Sequence, residues 1–267
     1  MTSAPYILRG THLPLDSSIR VYIDSVVDNL ITALPRPASL SSDQRRGIIA
    51  RYTAVLEGNF IYWMTAAYLA VKSEEARSII LENLHEEVRD CHPGMLRRFA
   101  VAAGSAPTDS DFHAISQDLK NVRLFLGRLS GVRNVITMAF FEGFIQRFMA
   151  FLGEIAGLQG SQEQEYTVVH GVCDIAHTQE LYRALEAEMS LNSAVSEADL
   201  FEGVEALRAL MGAVLQHRSG RIEAAWSAGA TCPIEESQCF SSITFPKPED
   251  PADNYTGSRS PWTSDLK

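Results

Sequence analysis

The segment His170-Gly171-Val172-Cys173-Asp174-Ile175-Ala176-His177 lies within a longer run, Glu165 to Met189, that otherwise has the pattern of a single helix. Because an α-helix has about 3.6 residues per turn, His170, Asp174 and His177 project from one face. The same face carries the largely apolar residues Tyr166, Leu181 and Ala184. An unpaired buried carboxylate is costly or takes up a proton, so this face needs a partner for its polar groups. A metal ion would be such a partner.

Composition limits what kind of protein this is. The chain has 267 residues, 46% of them apolar, which is enough for one helical domain with a substantial core. Its net charge of −10 comes without a Lys/Arg cluster, so we expect no nucleic-acid partner. The N-terminus lacks a signal pattern, and the apolar stretches look too short and interrupted to span a bilayer. We therefore expect a cytoplasmic protein that binds a small molecule and no membrane.

The four cysteines are Cys91, Cys173, Cys232 and Cys239, and no two of them have CxxC spacing. Without a secretory context, this pattern is typical of reduced thiols in the cytosol. Cys232 and Cys239 are the two that we expect to oxidise most readily, because they fall in a loose tail.

Helical periodicity and breaks predict an all-α fold of about seven helices, with no strand alternation. Residues 1–16 read as an N-terminal arm, residues 17–229 as one helical domain and residues 230–267 as an irregular C-terminal tail. The predicted helices run from Ser17 to before Pro35, from a cap at Ser42-Asp43 to Val71, from Ser73 past a break, from Asp109 to Phe125, from Leu129 to Gly157, from Glu165 to Met189 and from Ser196 to about Gly229.

Two glutamates fall on faces that should be buried. The third helix has the core stripe Ile80, Leu84, Glu87, Cys91 and Met95, and its polar face carries Glu82, His85, Glu86 and Arg89. The long helix from Leu129 has an apolar or small stripe broken only by Glu142. Glutamate is seldom buried without a partner, so both positions are candidate ligands.

His92 joins these candidates if the third helix breaks after Asp90. Pro93 makes such a break plausible, because the residue before a proline is pushed out of the α region. On an unbroken helix Glu87 and His92 would point about 140° apart, so the break is required. The candidate metal ligands are then Glu87, His92, Glu142, His170, Asp174 and His177.

Three carboxylates and three imidazoles from facing helices suit two divalent ions, and iron and manganese are the natural choices. Zinc would prefer fewer ligands, and calcium would not take the histidines. Two simpler interpretations stay open for the histidine face, a solvated surface or a hydrogen-bonded core triad. A ferritin-like site is the other alternative, because Glu82 and His85 form an ExxH element, but the chain has no second one.

From about residue 45 to 190 the chain resembles the haem-oxygenase-like di-iron oxidases and oxygenases. The matching elements are Ala76-Arg77 to Leu84 followed by Glu86-Glu87, then His92-Pro93 with Leu96 and Phe99, then Phe141-Glu142, and last the His170, Asp174 and His177 triple. The segment between Glu87 and His92 is shorter than in many members and lacks a glycine often found there. Some members add a carboxylate from the second helix, and only Glu57 is a candidate for it here.

The resemblance implies a haem-oxygenase-like up-and-down helical bundle in which two Fe(II)/Fe(III) ions react with O2 as co-substrate and oxidise a bound small molecule. The same six residues would be the metal ligands, with Glu142 as the catalytic, bridging carboxylate. It implies an oxidoreductase of specialised metabolism acting on an amino acid or an amino-acid-derived compound by oxidative C–C cleavage, desaturation, cyclisation or N-oxygenation. An electron donor would be needed, and a homodimer is left open.

Three other functions compete with this prediction. One is a fatty-acid oxidative decarboxylase of the same family, and another is a metal-free enzyme of the same fold, similar to the thiaminase-like and cofactorless branches. The third is a helical partner-binding protein that uses aromatic residues of the tail such as Phe240 and Trp262. Arg133 and Arg147 are candidate anchors for a substrate carboxylate.

Overall fold

The computed structural model describes residues 15–191 and 199–216, and these residues contain helices and no β-strand. Within them the α-helices are α1 (Leu15–Thr32), α2 (Ser42–Leu56), α3 (Asn59–Ala70), α4 (Glu74–Arg89), α5 (His92–Ala102), α6 (Asp109–Leu126), α7 (Gly131–Leu158), α8 (Glu165–Leu191) and α9 (Glu202–Leu215). The predicted all-α fold is confirmed. Most of the predicted arm and the whole predicted tail, with Cys232 and Cys239, lie outside the described residues.

The helix count differs from the predicted seven because two predicted helices are broken. The helix predicted from Ser42 to Val71 is two helices, and the prediction of a continuous one was wrong. Gly58 separates them with a left-handed φ of 78°, a conformation that glycine adopts without a Cβ clash. The N-cap of α2 is Ser41 rather than Ser42, since the Ser41 hydroxyl accepts from the Gln44 amide in a capping box.

The predicted break after Asp90 is present. Helix α4 ends at Arg89, Cys91 adopts a left-handed φ of 57°, and α5 begins at His92 with Pro93 in its first turn. A proline fits there because the first turn of a helix has no partner for that N–H in any case. Cys91 is exposed at this corner, so its predicted place in the core stripe was wrong.

Helix α9 is shorter than predicted. It begins at Glu202, not Ser196, and it ends at Leu215, because Gln216 is extended with a ψ of 137°. The prediction that the helix runs on to about Gly229 was therefore wrong at Gln216, and residues 217–229 lie outside the described part of the chain.

Helices α7 and α8 form the central packed pair, and α4 packs against α8. Along α7 the fully buried rings of Phe140, Phe144 and Phe148 stack in sequence, with centroids 6.4 and 5.1 Å apart. Among the described helices, α7 alone is long and apolar enough to cross a bilayer. The expectation that every apolar stretch is too short or too interrupted to do so was therefore wrong for α7. Because 78% of its most apolar window is buried inside the protein, α7 has the character of a core helix.

Candidate metal centre

The six predicted ligands come from four helices and converge in the interior. Helix α4 contributes Glu87, α5 contributes His92, α7 contributes Glu142, and α8 contributes the remaining three. Their side chains are almost completely buried, with 1–5% of each residue exposed; the six are Glu87, His92, Glu142, His170, Asp174 and His177. Burial of this many ionisable groups is rare unless they have partners.

Glu87, His92 and His170 form the first of two groups. The Nδ1 atom of His92 lies 2.8 Å from Oε1 of Glu87, and Nε2 of His170 lies 3.8 Å from the same oxygen. The two imidazole rings have centroids 4.5 Å apart. One ligand atom from each of the three residues lies within 4.8 Å of the others, so the group can hold a metal ion. The break between α4 and α5 is what brings His92 beside Glu87.

Asp174 and His177 form the second group, together with Cys173. The Nδ1 atom of His177 lies 3.7 Å from Oδ1 of Asp174 and 4.0 Å from Oε1 of Glu142. These separations are too long for hydrogen bonds. The Cys173 thiol donates to Oδ1 of Asp174 at 3.1 Å.

Three ligand atoms, two from the second group and one from Glu142, are buried without a hydrogen-bond partner among the described residues. They are Oε1 of Glu142, Oδ2 of Asp174 and Nδ1 of His177. Leaving such atoms unpaired is costly, and native proteins rarely do so without a reason. A cation at this point would give all three a partner.

The distances also fit a metal ion. Ligand atoms bound to one ion at about 2.1 Å lie roughly 3.0–4.2 Å from one another in octahedral or tetrahedral geometry. The separations of 3.7, 3.8 and 4.0 Å among the candidate ligands fall within that range, whereas Nδ1 of His92 lies closer to Oε1 of Glu87, at the hydrogen-bond distance of 2.8 Å. The donor set of imidazole nitrogens and carboxylate oxygens suits a borderline divalent ion such as iron or manganese.

The three carboxylates of the centre have very different pKa values. Burial, and then the nearby charges of Asp174 and Glu87, raise the pKa of Glu142 well above its usual value. Burial also raises the pKa of Asp174 to about 6. Burial opposes ionisation of Glu87, but the contacts with His170 and His92 outweigh it and lower the pKa of Glu87 to about 2. A bound cation would favour the ionised form of all three carboxylates.

Hydrogen bonds around the centre determine which ring nitrogen of His170 and of His177 is free to bind a metal ion. Nδ1 of His170 bonds the carbonyl oxygen of Tyr166 at 3.0 Å, which leaves Nε2 facing Glu87. Nε2 of His177 bonds Oε2 of Glu86 at 2.8 Å, which leaves Nδ1 facing Glu142 and Asp174. Carboxylates and carbonyls commonly hold metal-binding histidines in this way.

Glu86 belongs to the surroundings of the centre although its predicted place was the polar face of α4. Glu86 is half-buried, with 32% of its side chain exposed, and it reaches across to α8. The signal available in the sequence was its position beside Glu87 at the point where the third helix was expected to end.

A pocket leads from the first group toward the α2–α3 break. Its ligand end is formed by Glu87, His92, Glu142 and His170, and the rest of its wall is mostly apolar, with Leu56, Phe60, Ile61, Pro93, Leu96, Ile145 and Tyr166. The centre of a water molecule can move within about 20 Å³ of this pocket, so the pocket has room for one water molecule. Tyr166 is fixed there by a 3.0 Å hydrogen bond between its hydroxyl and that of Tyr52.

The remaining candidates lie elsewhere. Arg133 pairs with Asp199 at 3.3 Å, and Arg147 pairs with Asp28. Glu57 pairs with Arg97 and belongs to neither ligand group. Glu82 and His85, the ExxH element, are exposed on α4.

Comparison of the chain with protein-family models and with curated protein sequences finds no match. The function must therefore be inferred from the residues of the site.

Proposed function

We propose that this chain is an O2-dependent non-haem di-iron oxidase or oxygenase with a haem-oxygenase-like fold, acting on an amino acid or an amino-acid-derived small molecule. The observation that carries the proposal is the buried set of three carboxylates and three imidazoles, in which three ligand atoms have no hydrogen-bond partner within the described part of the chain. Two neighbouring groups, each able to hold an ion, favour a two-metal centre over a single site.

In this proposal Glu87, His92 and His170 would hold one ion, and Asp174 and His177 would hold the other. Glu142 is the shared carboxylate, because it lines the pocket beside the first group and its Oε1 faces His177 of the second. Two ferrous ions bound there would supply the electrons that reduce O2, which a single ferrous ion does not readily do.

The other residues of the chain prepare the centre for this chemistry. The Tyr166 carbonyl and the Glu86 carboxylate hold the rings of His170 and His177 in the orientation that directs one nitrogen inward. The apolar wall of the pocket limits the entry of water, which protects a reactive oxidant from side reactions. Phe60 and Ile145 supply part of this wall.

The test is anaerobic loading of the protein with Fe(II), followed by rapid mixing with O2 in the presence of a panel of amino acids and fatty acids. We expect close to two iron ions per chain and substrate-dependent consumption of O2. Turnover of a fatty acid alone would support the decarboxylase alternative. Retention of well under one iron per chain, with every substrate on the panel, would contradict the proposal.

Two further measurements separate the competing functions. Activity that survives thorough chelation would favour a metal-free enzyme of the same fold. His177→Ala should lose iron and O2 consumption together, whereas the matched change His85→Ala, on the exposed face of α4, should leave both unchanged.

A further inference from the structure

A second cleft lies between α2, the start of α6 and the end of α9. Its volume is about 330 Å³, against about 20 Å³ for the pocket at the metal centre. It shares no lining residue with the pocket at the metal centre, and its charged lining residues are Asp43, Arg46, Arg51 and Asp111. The cleft is thus a separate polar site on the same domain.

Arg51 is the unusual residue of this cleft, because its residue exposure is only 9%. Its Nε donates to the carbonyl oxygen of Val214 at 2.9 Å. Its one ionic contact among the described residues is long, 3.9 Å from Nη1 to Oδ1 of Asp111. No hydrogen bond within the described chain uses its two terminal nitrogens, and neither is among the fully buried unpartnered atoms, so these donors are open to the cleft that Arg51 lines.

Asp111 lies too far from Arg51 for a hydrogen bond, at 3.9 Å, and it bonds Thr108 and Arg46 instead. Its Oδ2 accepts from the hydroxyl and the backbone amide of Thr108, at 2.6 and 3.0 Å. Both of its oxygens lie 3.2 Å from Nη2 of Arg46. One buried carboxylate therefore faces two arginines.

The remaining acid of the cleft does not pair with Arg51. Asp43 is exposed in the first turn of α2, where solvent and salt screen its charge. The two aspartates formally balance the two arginines, but the one ion pair of Arg51 among the described residues is the 3.9 Å contact with Asp111, so its guanidinium has no close anionic partner.

Gly47 makes room for the guanidinium. A Cβ atom at this position would lie 2.7 Å from Nη1 of Arg51. The glycine sits in the interior of α2, where alanine would favour the helix more. The missing Cβ leaves space for the Arg51 guanidinium beside the helix, and an alanine here would require the guanidinium to shift.

We propose that this cleft binds a small oxyanion, the carboxylate or phosphate group of a soluble metabolite, with Arg51 as the anchoring donor and Arg46 at the rim. A planar guanidinium with free N–H groups matches two oxygens of such a group and forms strong charge-assisted hydrogen bonds. The site is independent of the proposed di-iron centre, so either can fail without the other.

The experiment is calorimetric titration of the full-length chain with inorganic phosphate and, separately, with acetate at constant ionic strength. It is run on chelator-treated and iron-loaded protein, because anions also bind metal centres. We expect saturable binding of one anion per chain in both forms, weakened at least tenfold by Arg51→Gln, since hydrogen bonds to charged groups contribute substantially to binding. Stronger binding of phosphate or of acetate identifies which group the site prefers.

Two variants make the result decisive. Gly47→Ala keeps the charge of Arg51 but displaces its guanidinium, so it should weaken anion binding while helix α2 is retained. If Arg51→Gln does not fold, the Gly47→Ala protein tests the proposal in its place. Arg183→Gln, which removes an exposed arginine on α8, should leave binding unchanged. Equal affinity in the parent, Arg51→Gln and Gly47→Ala proteins would overturn the proposal, as would the absence of saturable binding of either anion up to about 10 mM.

Discussion

Replacing Glu142 by glutamine should stabilise the metal-free protein. Glu142 is 2% exposed, its Oε1 has no partner among the described residues, and the charges of Asp174 and Glu87 lie close by. Burial and these charges raise the pKa of Glu142, so the metal-free fold favours the protonated form. Glutamine has nearly the same shape and is neutral at every pH.

The size of the effect follows from the free energy needed to keep Glu142 protonated at pH 7. Holding a glutamate protonated at pH 7, against an unfolded-state pKa of about 4.3, costs about 1.36 × 2.7, or roughly 3.7 kcal/mol. That figure is an upper limit, so we expect Glu142→Gln to raise the free energy of unfolding by about 2–3.5 kcal/mol at pH 7. At pH 4 the gain should nearly vanish, because both side chains are then neutral in the folded protein.

Thermal unfolding of chelator-treated protein at pH 4 and pH 7 measures this directly. For a chain of this size a gain of about 3 kcal/mol raises Tm by roughly 6–12 °C. Glu82→Gln, on the exposed face of the neighbouring helix α4, is the control and should change Tm little at either pH. Added Fe(II) should reverse the order, since only the parent protein gains the full stabilisation from binding. A Glu142→Gln protein less stable than the parent at pH 7 without metal, or equally stabilised at pH 4, would refute the reasoning.

Three more outcomes are expected. Because the pKa of Asp174 is raised to about 6, the metal-free fold holds a proton that the unfolded chain releases. The free energy of unfolding should therefore fall by about 3 kcal/mol as the pH rises from 4 to above 6. Asp174→Asn should remove this pH dependence when unfolding by urea is measured across that window. Glu86→Gln should weaken Fe(II) affinity about 10–100-fold in a metal titration, with Glu82→Gln unchanged, because the carboxylate orients His177. Phe141→Ala should lower the free energy of unfolding by about 3–5 kcal/mol in urea, since its fully buried ring packs against Trp63 at 5.2 Å.

The sequence predicted the parts of the site that depend on local rules. Helical spacing alone places His170, Asp174 and His177 on one face of α8, and all three are buried there. The break after Asp90 was predicted from Pro93, and it is present, but His92 before the proline is itself helical. The break fits the other property of proline, which can neither donate to nor pack against the carbonyl four residues earlier, here that of Arg89.

Other features depend on tertiary packing and were not predictable from the chain alone. Glu86 lies about 100° around α4 from Glu87, and only the position of α8 shows that it reaches His177. The break at Gly58 was missed because an isolated glycine is tolerated within many helices, and packing decides whether the helix continues. The orientation of each imidazole is likewise set by partners that are distant in the sequence or on another turn.

Anomalous diffraction at the iron edge, from crystals of the Fe(II)-loaded protein, tests the central claim most directly. Two peaks are expected inside the bundle, one contacted by Glu87, His92 and His170 and the other by Asp174 and Nδ1 of His177. Iron-loaded crystals with no peak among these residues, and with protein groups bonded to the free atoms of Glu142 and His177, would contradict the assignment of this cluster as a metal centre.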